Sequence, residues 1–600
     1  MGTANSKKGS FDHSKYLNKI FPFLTWMPLL KDKNVLRADF IAGLTVALVL
    51  IPQSMAYANL AGLPAYFGLY IAFMPVMVAA LWGSSKQLAT GPVAVVSIMT
   101  ATTVAGVVGN TATNNPELLA QYVPLAMFLA LLVGLFQFAL GVFRLGIIVN
   151  FLSHPVIVGF TNAAAMVIGL SQLSKIFGVS MPGAPSDHFL TVRIWGVLQQ
   201  LGETHLPTLL MGVGAFAVMM FMKKKFPKLP GVLVAVAGAT IISWLINYEA
   251  MGGKVVGAIP QGLPSIEMPG ITFSNLGYLV TNAIIIALVG FMEAISIAKA
   301  MAAKTKDKID PNQELIGQGL SNIVGSFTQA YPASGSFSRS AVNLNAGAVT
   351  GFSSVVTGMI VVITLLFLTP LLYHLPAAVL AAVIMMAVFG LINFEAVKHA
   401  WNTSRHDGVA AIVTFICTLG FAPHLEEGII IGAGLAIVLY LYSTMKPRVA
   451  MLGRYSDGTL RDRKVNPHLP FDDEVVVLRF DGSLYFANVA FFEDTVLDAM
   501  STHKDVKYIL IVGDGINQLD ASGEEVLHHL VQRLRGNNIT LVFSGLKKQI
   551  FDVLRNAHLY EYIGEENIFA TEDMALVDIY KRLGKEGDDA ILLRRAAAAA

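Results

Sequence analysis

The strongest constraint on this chain is a stretch over residues 340–393 that contains no Asp, Glu, Lys or Arg. Soluble domains carry charge on their surfaces, whereas the hydrocarbon core of a membrane excludes it. The whole chain follows the same trend, because 54% of its residues are hydrophobic and only 14% are charged, against about 25% charged residues in soluble domains. The sequence therefore predicts a polytopic α-helical membrane protein.

Apolar runs of helical character recur between residues 39 and 445. Counting short ones there are about 14 such runs, and some are too short to cross about 30 Å at 1.5 Å per residue. Short runs interrupted by Gly or Pro are typical of broken membrane helices. In the first run Pro52 is followed by Gln53, and because Pro removes a backbone amide we expect the helix to break there.

The connections between the runs alternate in charge. If the N-terminus is cytoplasmic, the connections after even-numbered spans should be basic. Those connections contain Lys86, Arg144, Lys223, Lys224, Lys225, Lys304, Lys306, Lys398 and Arg405. The odd-numbered connections contain Glu117, Glu249, Glu267, Glu426 and Glu427, with few basic residues. The alternation predicts that both termini are cytoplasmic and that the protein lies in the cell membrane.

A similar polar motif opens the third and the tenth runs. Residues 90–92 read Thr-Gly-Pro, and residues 334–336 read Ser-Gly-Ser. Seven spans in each half give odd parity, so the second half would be inverted in the membrane relative to the first. We therefore expect a 7+7 inverted repeat.

The polar stretch over residues 331–340 contains Arg339 at or near membrane depth. A charge there costs several kcal/mol, and such residues usually line a substrate or ion path. The preceding Pro and Gly predict a half-helix whose free N–H groups face a cavity, which favours an anion. Arg339 could instead be a structural arginine that caps a carbonyl.

Glu293 lies in the apolar eighth run. An apolar environment disfavours a charged carboxylate, so Glu293 is a candidate carrier of a coupling proton. The alternative is a fixed ion pair, with Arg339 as one partner.

The composition changes after residue 441. Residues 446–472 are charged and turn-rich and are predicted to be a linker. Strand patterns over residues 474–480, 508–512 and 539–543 then alternate with helical patterns over residues 523–535 and 547–556. Strands that alternate with helices predict a small cytoplasmic α/β domain with a mixed or parallel sheet.

Several motifs resemble those of the sulfate-permease (SulP) family of anion transporters, which includes prestin and pendrin. They lie at residues 42–46, 51–58, 60–64, 68–70, 91–92 with Ser97, and 336–340. The soluble domain resembles the STAS domain, the fold shared with anti-sigma-factor antagonists. The resemblance extends from about Asp39 to the soluble domain.

The resemblance implies core and gate domains, a homodimer, and an anion held between the N-termini of half-helices in spans 3 and 10. Carried onto this sequence, the substrate-binding residues are Gln53, Tyr57, Pro92, Val93, Ser336, Phe337, Ser338 and Arg339. Glu293 occupies an acidic family position, which belongs to a sodium site in bicarbonate-transporting relatives. Those relatives have a Thr ligand where this chain has Ile297, so sodium coupling is the weaker expectation.

Residues 520–523 match the stretch that carries the phosphorylated serine of anti-sigma-factor antagonists, which makes Ser522 a candidate regulatory phosphosite. The same residues satisfy a capping box, with Ser522 as N-cap and Glu525 reaching back to it. The capping interpretation is preferred.

Enzyme and nucleic-acid functions are not expected. The chain has no Gly-x-x-x-x-Gly-Lys-Ser/Thr loop and no His-Glu-x-x-His motif. Its net charge is only +2, and its single cysteine, Cys417, excludes disulfides within the chain. No cofactor and no metal site are predicted.

The sequence therefore predicts a secondary active transporter of a small inorganic anion. Sulfate is the favoured substrate and H⁺ the favoured coupling ion, with Na⁺ as an alternative. Bicarbonate or dicarboxylate transport, a passive anion channel and an anion-gated sensor stay open. Membrane lipid and a regulatory partner of the STAS domain are the other expected partners. The predicted segments are an N-terminal cytoplasmic segment (1–38), a transporter domain (39–445), a linker (446–472), a STAS domain (473–585) and a tail (586–600) ending in a cloning scar.

Overall fold

The computed structural model describes residues 17, 20–109, 116–147, 153–179, 190–226, 230–270, 275–422 and 424–593. The first 16 residues of the predicted N-terminal segment and the terminal alanines of the tail lie outside these ranges. The chain divides into two compact units, Met1–Ala436 and Ile437–Ala600.

The first unit is built from helices, with one short pair of strands. In chain order its elements are α1 (Lys33–Leu60), α2 (Phe67–Ile71), α3 (Met74–Trp82), β1 (Ala89–Gly91), α4 (Ala94–Val108), α5 (Pro116–Val142), α6 (His154–Ser171), α7 (Leu173–Phe177), α8 (Leu190–Gln199), α9 (Leu206–Lys225), α10 (Gly231–Leu245), α11 (Leu276–Thr305), α12 (Pro311–Ser326), β2 (Ser334–Ser336), α13 (Phe337–Asn345), α14 (Phe352–Ile363), α15 (Ala377–Phe389), α16 (Phe394–Thr403), α17 (Arg405–Gly420) and α18 (Leu425–Met445). The last helix continues into the second unit.

The helices fit a polytopic membrane protein. Among the described residues, eight helical segments are long and apolar enough to cross a membrane, and three shorter apolar ones accompany them. The short helices include α4, which begins one residue after its N-cap Val93. The predicted helical membrane architecture is confirmed, and the count of about 14 spans stays a prediction.

The expected break at Pro52 is wrong. Helix α1 continues through Pro52 and Gln53 to Leu60 without interruption. Membrane helices tolerate an internal proline where neighbouring helices and hydroxyl side chains surround the freed backbone groups. Here the residues from Pro52 to Ala58 are all buried, and the Ser54 hydroxyl donates to the carbonyl of Ile51 at 2.8 Å.

The two polar motifs identified in the sequence form a two-stranded antiparallel ladder. Strand β1 pairs with β2, with Ala89 opposite Ser336, Thr90 opposite Gly335, and Gly91 opposite Ser334. Each strand leads into a short helix, β1 into α4 and β2 into α13. Because the strands run in opposite directions, the two helices also extend in opposite directions. The N-terminus of each helix lies at the ladder.

The second unit contains a six-stranded sheet in the order β4-β3-β5-β6-β7-β8. Its elements are β3 (Arg448–Arg454), β4 (Leu460–Asp462), β5 (Val475–Asp481), α19 (Val489–Thr502), β6 (Tyr508–Val512), α20 (Ala521–Arg535), β7 (Thr540–Ser544), α21 (Lys548–Asn556), α22 (Leu559–Ile563), β8 (Ile568–Phe569) and α23 (Glu572–Leu583). Strands β5 to β8 are parallel, whereas β3 is antiparallel to both of its neighbours. Residues 446–472, expected to be a linker, therefore contribute β3 and β4 to this sheet.

Alternation along the strands builds an apolar core on each face of the sheet. In β5, Val476 and Leu478 join the core that contains residues of α19, α20 and α21. Val475 and Val477 face the opposite core, which contains residues of α23. This two-sided burial explains why these strands read as continuous apolar runs.

The capping interpretation of Ser522 is wrong. The N-cap of α20 is Asp520, whose Oδ1 accepts from the Gly523 N–H at 2.8 Å. Its other oxygen accepts from the Phe486 N–H at 2.9 Å. An ionised Asp accepts both bonds and also suits the positive end of the helix. Ser522 lies in the first turn and is partly exposed, and Glu525 is exposed.

Candidate anion-binding site

The candidate site lies where the β1–β2 ladder brings two helix N-termini together. The first turns of α4 and α13 follow opposite ends of this three-residue ladder. Each N-terminus presents unpaired backbone N–H groups and about half a positive charge. The arrangement favours an anion before any side chain is considered.

Arg339, in the first turn of α13, reaches across this ladder. Gly91 at the far end of β1 has φ +145°, and a Cβ added there would lie 3.3 Å from Arg339 Nη2. The guanidinium therefore lies against the strand that leads into α4, although Arg339 belongs to the opposite half-helix. A side chain at position 91 would be strained and would crowd the guanidinium.

The Arg339 side chain is fully buried, with 0% exposure. Its three nitrogens, Nε, Nη1 and Nη2, are hydrogen-bonded to no other group in the described part of the chain. Arginine normally satisfies its five N–H donors when it is buried. The guanidinium therefore caps no carbonyl and makes no hydrogen bond with Glu293, although the two side chains lie within electrostatic range of each other.

Three further polar side chains surround the guanidinium. Tyr57, Tyr331 and Glu293 all lie within electrostatic range of Arg339. The Ser97 hydroxyl in α4 donates to the Tyr331 oxygen at 3.5 Å. The structure thus brings together residues of α1, α4, α11 and α13, among them Tyr57, Glu293 and Arg339, whose roles stay predictions.

Gln53 lies one turn before Tyr57 on α1. Its Oε1 atom is buried and has no hydrogen-bond partner among the described residues. Leu50, one turn earlier still, approaches Gly91, because its Cδ1 would lie 3.8 Å from a Cβ at that glycine. Positions 50, 53 and 57 share one helix face, so Gln53 lies on the face of α1 that meets the ladder.

The remaining predicted residues differ in burial. Pro92, Val93 and Ser336 are buried at the starts of the two half-helices. Phe337 is 55% exposed and Ser338 is also exposed. The hydroxyls of Ser336 and Ser338 lie 3.4 Å apart. The start of α13 is therefore exposed at Phe337 and Ser338, whereas Arg339 is enclosed.

Ile297 lies one turn after Glu293 on α11. It is buried in an apolar cluster with Leu88, Ala294, Ala298 and Met301. Its side chain has no oxygen with which to coordinate a cation. The chain therefore differs from the family's sodium-site pattern at Ile297 both in residue type and in the lack of a cation ligand.

Sequence reasoning missed a polar face of α12 that positions the ladder. Glu314, Gln318 and Asn322 are fully or almost fully buried and lie four residues apart, which places them on one face. Gln318 Nε2 donates to the Thr90 hydroxyl at 2.8 Å. Glu314 Oε2 accepts from the backbone of residues 84 and 85, at 2.9 and 3.0 Å. Their regular spacing of four residues was the signal that could have identified them.

Two serine hydroxyls fix the ladder from other sides. Ser340 Oγ accepts from the Ala89 N–H at 2.9 Å, which ties α13 to the start of β1. Ser334 Oγ donates to the Gly290 carbonyl of α11 at 2.7 Å. The backbone around Arg339 is thus held by side chains of α12 and α13 and by the backbone of α11.

Family models match both units of the chain. The model of the sulfate permease family matches residues 36–414. The model of the STAS domain matches residues 466–575. The first match covers the ladder and every predicted transport residue, and the second covers β5 to β8 and Ser522.

Curated relatives match over nearly the whole chain. Probable sulfate transporter 4.2 of Arabidopsis thaliana is 35% identical over 586 residues, covering 94% of this chain and 84% of that protein. High affinity sulfate transporter 2 of Stylosanthes hamata is 32% identical over 593 residues, covering 95% and 88%.

Solved structures share the fold. The murine anion transporter Slc26a9 in its inward-facing state matches with a TM-score of 0.87 at 23% identity, covering 96% of each chain. The transmembrane domain of the cyanobacterial bicarbonate transporter BicA matches with a TM-score of 0.56 at 22% identity, covering 67% of this chain and 97% of that one.

Proposed function

The chain belongs to the sulfate permease family of membrane transporters, as its motifs predicted, and we propose that it is a secondary active transporter whose substrate is sulfate. The family consists of transporters, so an enzymatic function is not expected. Sulfate is favoured because curated relatives over nearly the whole chain are sulfate transporters.

The observation that carries this proposal is the buried, unpartnered guanidinium of Arg339 between two helix N-termini. Removing a charge from water costs several kcal/mol unless a partner of opposite charge compensates. A sulfate ion would supply that charge and accept several N–H donors, and the planar guanidinium suits an oxyanion. The half-helix dipoles would add to the same attraction.

Transport by this site requires alternating access. The ladder is fixed to α11, α12 and α13 by hydrogen bonds, so the site would move with these helices as one body. We propose that this body moves against the remaining helices in an elevator-like or rocking motion. The exposed Phe337 and Ser338 would form the side through which the anion leaves.

Glu293 is proposed to carry the coupling proton. It lies within electrostatic range of the guanidinium but is not hydrogen-bonded to it. A proton on Glu293 would reduce local negative charge when a dianion binds at Arg339. Sodium coupling is less favoured because Ile297 offers no oxygen ligand.

Uptake into proteoliposomes tests the proposal. Radiolabelled sulfate and bicarbonate are compared, with pH and sodium gradients imposed separately. Saturable sulfate uptake that a proton gradient stimulates and a sodium gradient leaves unchanged would support it. Preferred uptake of bicarbonate or a dicarboxylate would replace sulfate as the substrate. Unitary anion currents without coupled transport would indicate a passive channel, and binding without flux an anion-gated sensor.

We further propose that the protein is a homodimer in the cell membrane with both termini cytoplasmic. The alternation of charged connections supports this orientation. The STAS domain would bind a regulatory partner, and phosphorylation of Ser522 is one route of control because the residue is partly exposed. Mass photometry of the purified protein and labelling of single cysteines on each side of the membrane test the assembly and the orientation.

A further inference from the structure

A second cationic cavity lies apart from the ladder, where α5 ends, α11 approaches its end and α12 begins. It has a volume of about 240 Å³, and Arg144 and Lys299 both line it. The side chains of Arg144 and Lys299 have no hydrogen bond or ion pair with any residue in the described ranges. Both residues are exposed, and two unpaired cations that share one cavity can attract an anion.

The floor of this cavity is apolar. Phe291 and Ile295 line it and lie on the same face of α11 as Lys299, at spacings of four residues. Both belong to a buried apolar cluster with Leu140 and Leu315. A ligand that fits must therefore bring an anionic group to the rim and apolar groups to the floor.

The backbone around the cavity is fixed. The Gly146 N–H donates to the Asn312 side-chain oxygen at 3.0 Å, which joins the segment after α5 to the first turn of α12. Arg144 has φ +58°, a left-handed conformation that is uncommon for a residue with a side chain. Such residues concentrate at functional sites.

Large apolar side chains surround the cationic rim. Phe143 is 72% exposed and Ile147 is 69% exposed, on either side of Arg144. Exposed apolar residues of this size face lipid in a membrane protein rather than water. The basic connections place this end of the three helices in the cytoplasmic leaflet, where anionic lipids bind basic pockets between helices.

We propose that this cavity binds the headgroup of an anionic phospholipid, with the phosphate at Arg144 and Lys299 and the upper acyl chains along Phe143 and Ile147. Phe291 and Ile295 form its apolar floor. The site is separate from the transport site, although α11 carries Glu293 between Phe291 and Ile295. Lipid occupancy would therefore support the same helix that carries the proposed proton carrier.

Thermal unfolding of the full-length protein in nanodiscs tests this site without measuring transport. We expect phosphatidylglycerol to raise Tm relative to phosphatidylcholine. The double variant Arg144→Asn with Lys299→Gln should lose that rise, because Asn tolerates the left-handed backbone but carries no charge. At about 1 kcal/mol for each basic residue, its affinity for phosphatidylglycerol by native mass spectrometry should fall about 30-fold.

Two controls distinguish the source of the phosphate and the effect of general charge. Inorganic phosphate should not reproduce the rise in Tm, because it offers nothing to the apolar rim. Lys223→Gln removes an exposed cation at the end of α9, away from the cavity, and should keep the full phosphatidylglycerol effect. An equal rise with inorganic phosphate, or equal loss in Lys223→Gln, would overturn the proposal.

If Arg144→Asn with Lys299→Gln does not fold, the two single variants and a charge-conserving double variant keep the test decisive. Arg144→Lys with Lys299→Arg retains both charges and should retain the lipid effect. Phosphatidylglycerol affinity that is unchanged in both Arg144→Asn and Lys299→Gln would reject the site. If the wild-type protein does not transport sulfate, the proposed function is rejected. The result on phosphatidylglycerol binding is unaffected by that outcome.

Discussion

Both polar atoms of the Asn322 carboxamide bind the backbone of Ala333. Oδ1 accepts from the Ala333 N–H at 2.7 Å, and Nδ2 donates to the Ala333 carbonyl at 3.1 Å. Ala333 directly precedes β2, so this double contact fixes where the strand begins and, through it, where Arg339 lies. Nδ2 also donates to Gln137 Oε1 of α5 at 3.1 Å.

Asn322→Ala should weaken substrate binding although Asn322 does not line the anion site. The substitution leaves a buried backbone N–H and carbonyl without their partner, at a cost of about 1–3 kcal/mol. We expect the apparent KM for sulfate to rise about tenfold or more, with protein still present in the membrane. Sulfate uptake in proteoliposomes measures this change.

Asn282→Ala is the matched control. Asn282 is also a buried membrane asparagine, but its Nδ2 donates to the carbonyl of Tyr278 in its own helix at 3.0 Å. Its removal should change KM less than twofold. Equal changes in the two variants would mean that Asn322 contributes only general stability.

Arg339→Ala should abolish saturable sulfate uptake. The guanidinium is the buried charge proposed to bind the anion, and the helix dipoles alone contribute less than about 2 kcal/mol each. Arg339→Lys keeps the charge but loses the planar fork and should retain partial uptake with a raised KM. Sulfate-dependent stabilisation in thermal unfolding provides a readout independent of flux.

Arg339→Ala combined with Glu293→Gln tests whether Arg339 and Glu293 act as a pair. Since no hydrogen bond joins them in this structure, we expect the double variant to bind sulfate no better than Arg339→Ala alone. A double variant that binds sulfate better than Arg339→Ala alone would show that Arg339 mainly neutralises Glu293.

Glu293→Gln should separate transport from its coupling. A neutral amide of similar size cannot release a proton, so stimulation of uptake by an imposed proton gradient should disappear. Exchange of internal for external sulfate should persist, because Arg339 and both helix N-termini remain. Unchanged pH dependence of net uptake would contradict the assignment of Glu293 as the proton carrier.

In the STAS domain, Glu474 gives a pH dependence of stability. Hydrogen bonds from Lys507 and Lys585 lower the pKa of this carboxyl below its ordinary value of 4.5. A lowered pKa stabilises the fold above pH 4.5, and this contribution is lost as pH falls through the lowered value. Lys585→Met should remove about 0.5 kcal/mol at pH 7, because exposed ion pairs contribute little.

Hydrogen exchange of the β5 and β6 amides in the full-length chain, corrected for intrinsic rates, measures this contribution. The wild-type protein and Lys585→Met should differ at pH 7 and converge below pH 4. A difference that grows as pH falls would have the wrong sign for a carboxylate pair. Lys548→Met is the control, since Lys548 also forms an ion pair, with Asp552. This pair is more exposed than the pair of Lys585 with Glu474.

The N-cap of α20 predicts that substitutions at Asp520 and at Ser522 change the stability of the STAS domain by different amounts. Asp520→Ala removes acceptors of the Gly523 and Phe486 N–H groups and should destabilise the STAS domain by about 1 kcal/mol or more. Ser522→Ala should cost little, as Ser522 is not the cap. Hydrogen exchange of α20 in the full-length protein distinguishes them, and equal effects would restore Ser522 as a capping residue.

The sequence predicted most helices of the membrane unit because apolar periodicity and charged connections are local properties. The strand over residues 508–512 has the bounds expected from the pattern. The failure at Pro52 shows the limit of a local rule, because burial of residues 52–58 by other helices decided the outcome.

The sequence predicted which residues belong to the candidate site, but not the tertiary contacts that hold them together. Arg339 stands out as a charge beside an apolar run, and Gly91 and Ser336 lie in recognisable motifs. The pairing of Gly91 with Ser334 and of Ala89 with Ser336, across about 245 residues of the chain, is a tertiary property that spacing alone does not specify. The contact of Asn322 with Ala333 joins residues only 11 positions apart, but it depends on the conformation of the segment after α12, which apolar periodicity does not specify.

Strands β3 and β4 were missed for a different reason. Charged residues such as Arg448, Arg461 and Asp462 make this segment resemble a solvated linker. In the structure these side chains form ion pairs, Arg448 with Asp462 at 2.8 Å and Arg461 of the edge strand β4 with Asp457 at 2.6 Å. Edge strands are often charged because charge prevents further strand pairing.

The β1–β2 ladder has an electrical consequence for an ion bound at Arg339. The half-helices α4 and α13 leave it in opposite directions, so near their midpoint the potentials of their dipoles add while their fields along the membrane normal oppose each other. An anion there lies in a symmetric potential well. The two helix dipoles exert no net force on it toward either compartment. The direction of net flux is then determined by the ion gradients, and the same protein should run in reverse when those gradients are inverted.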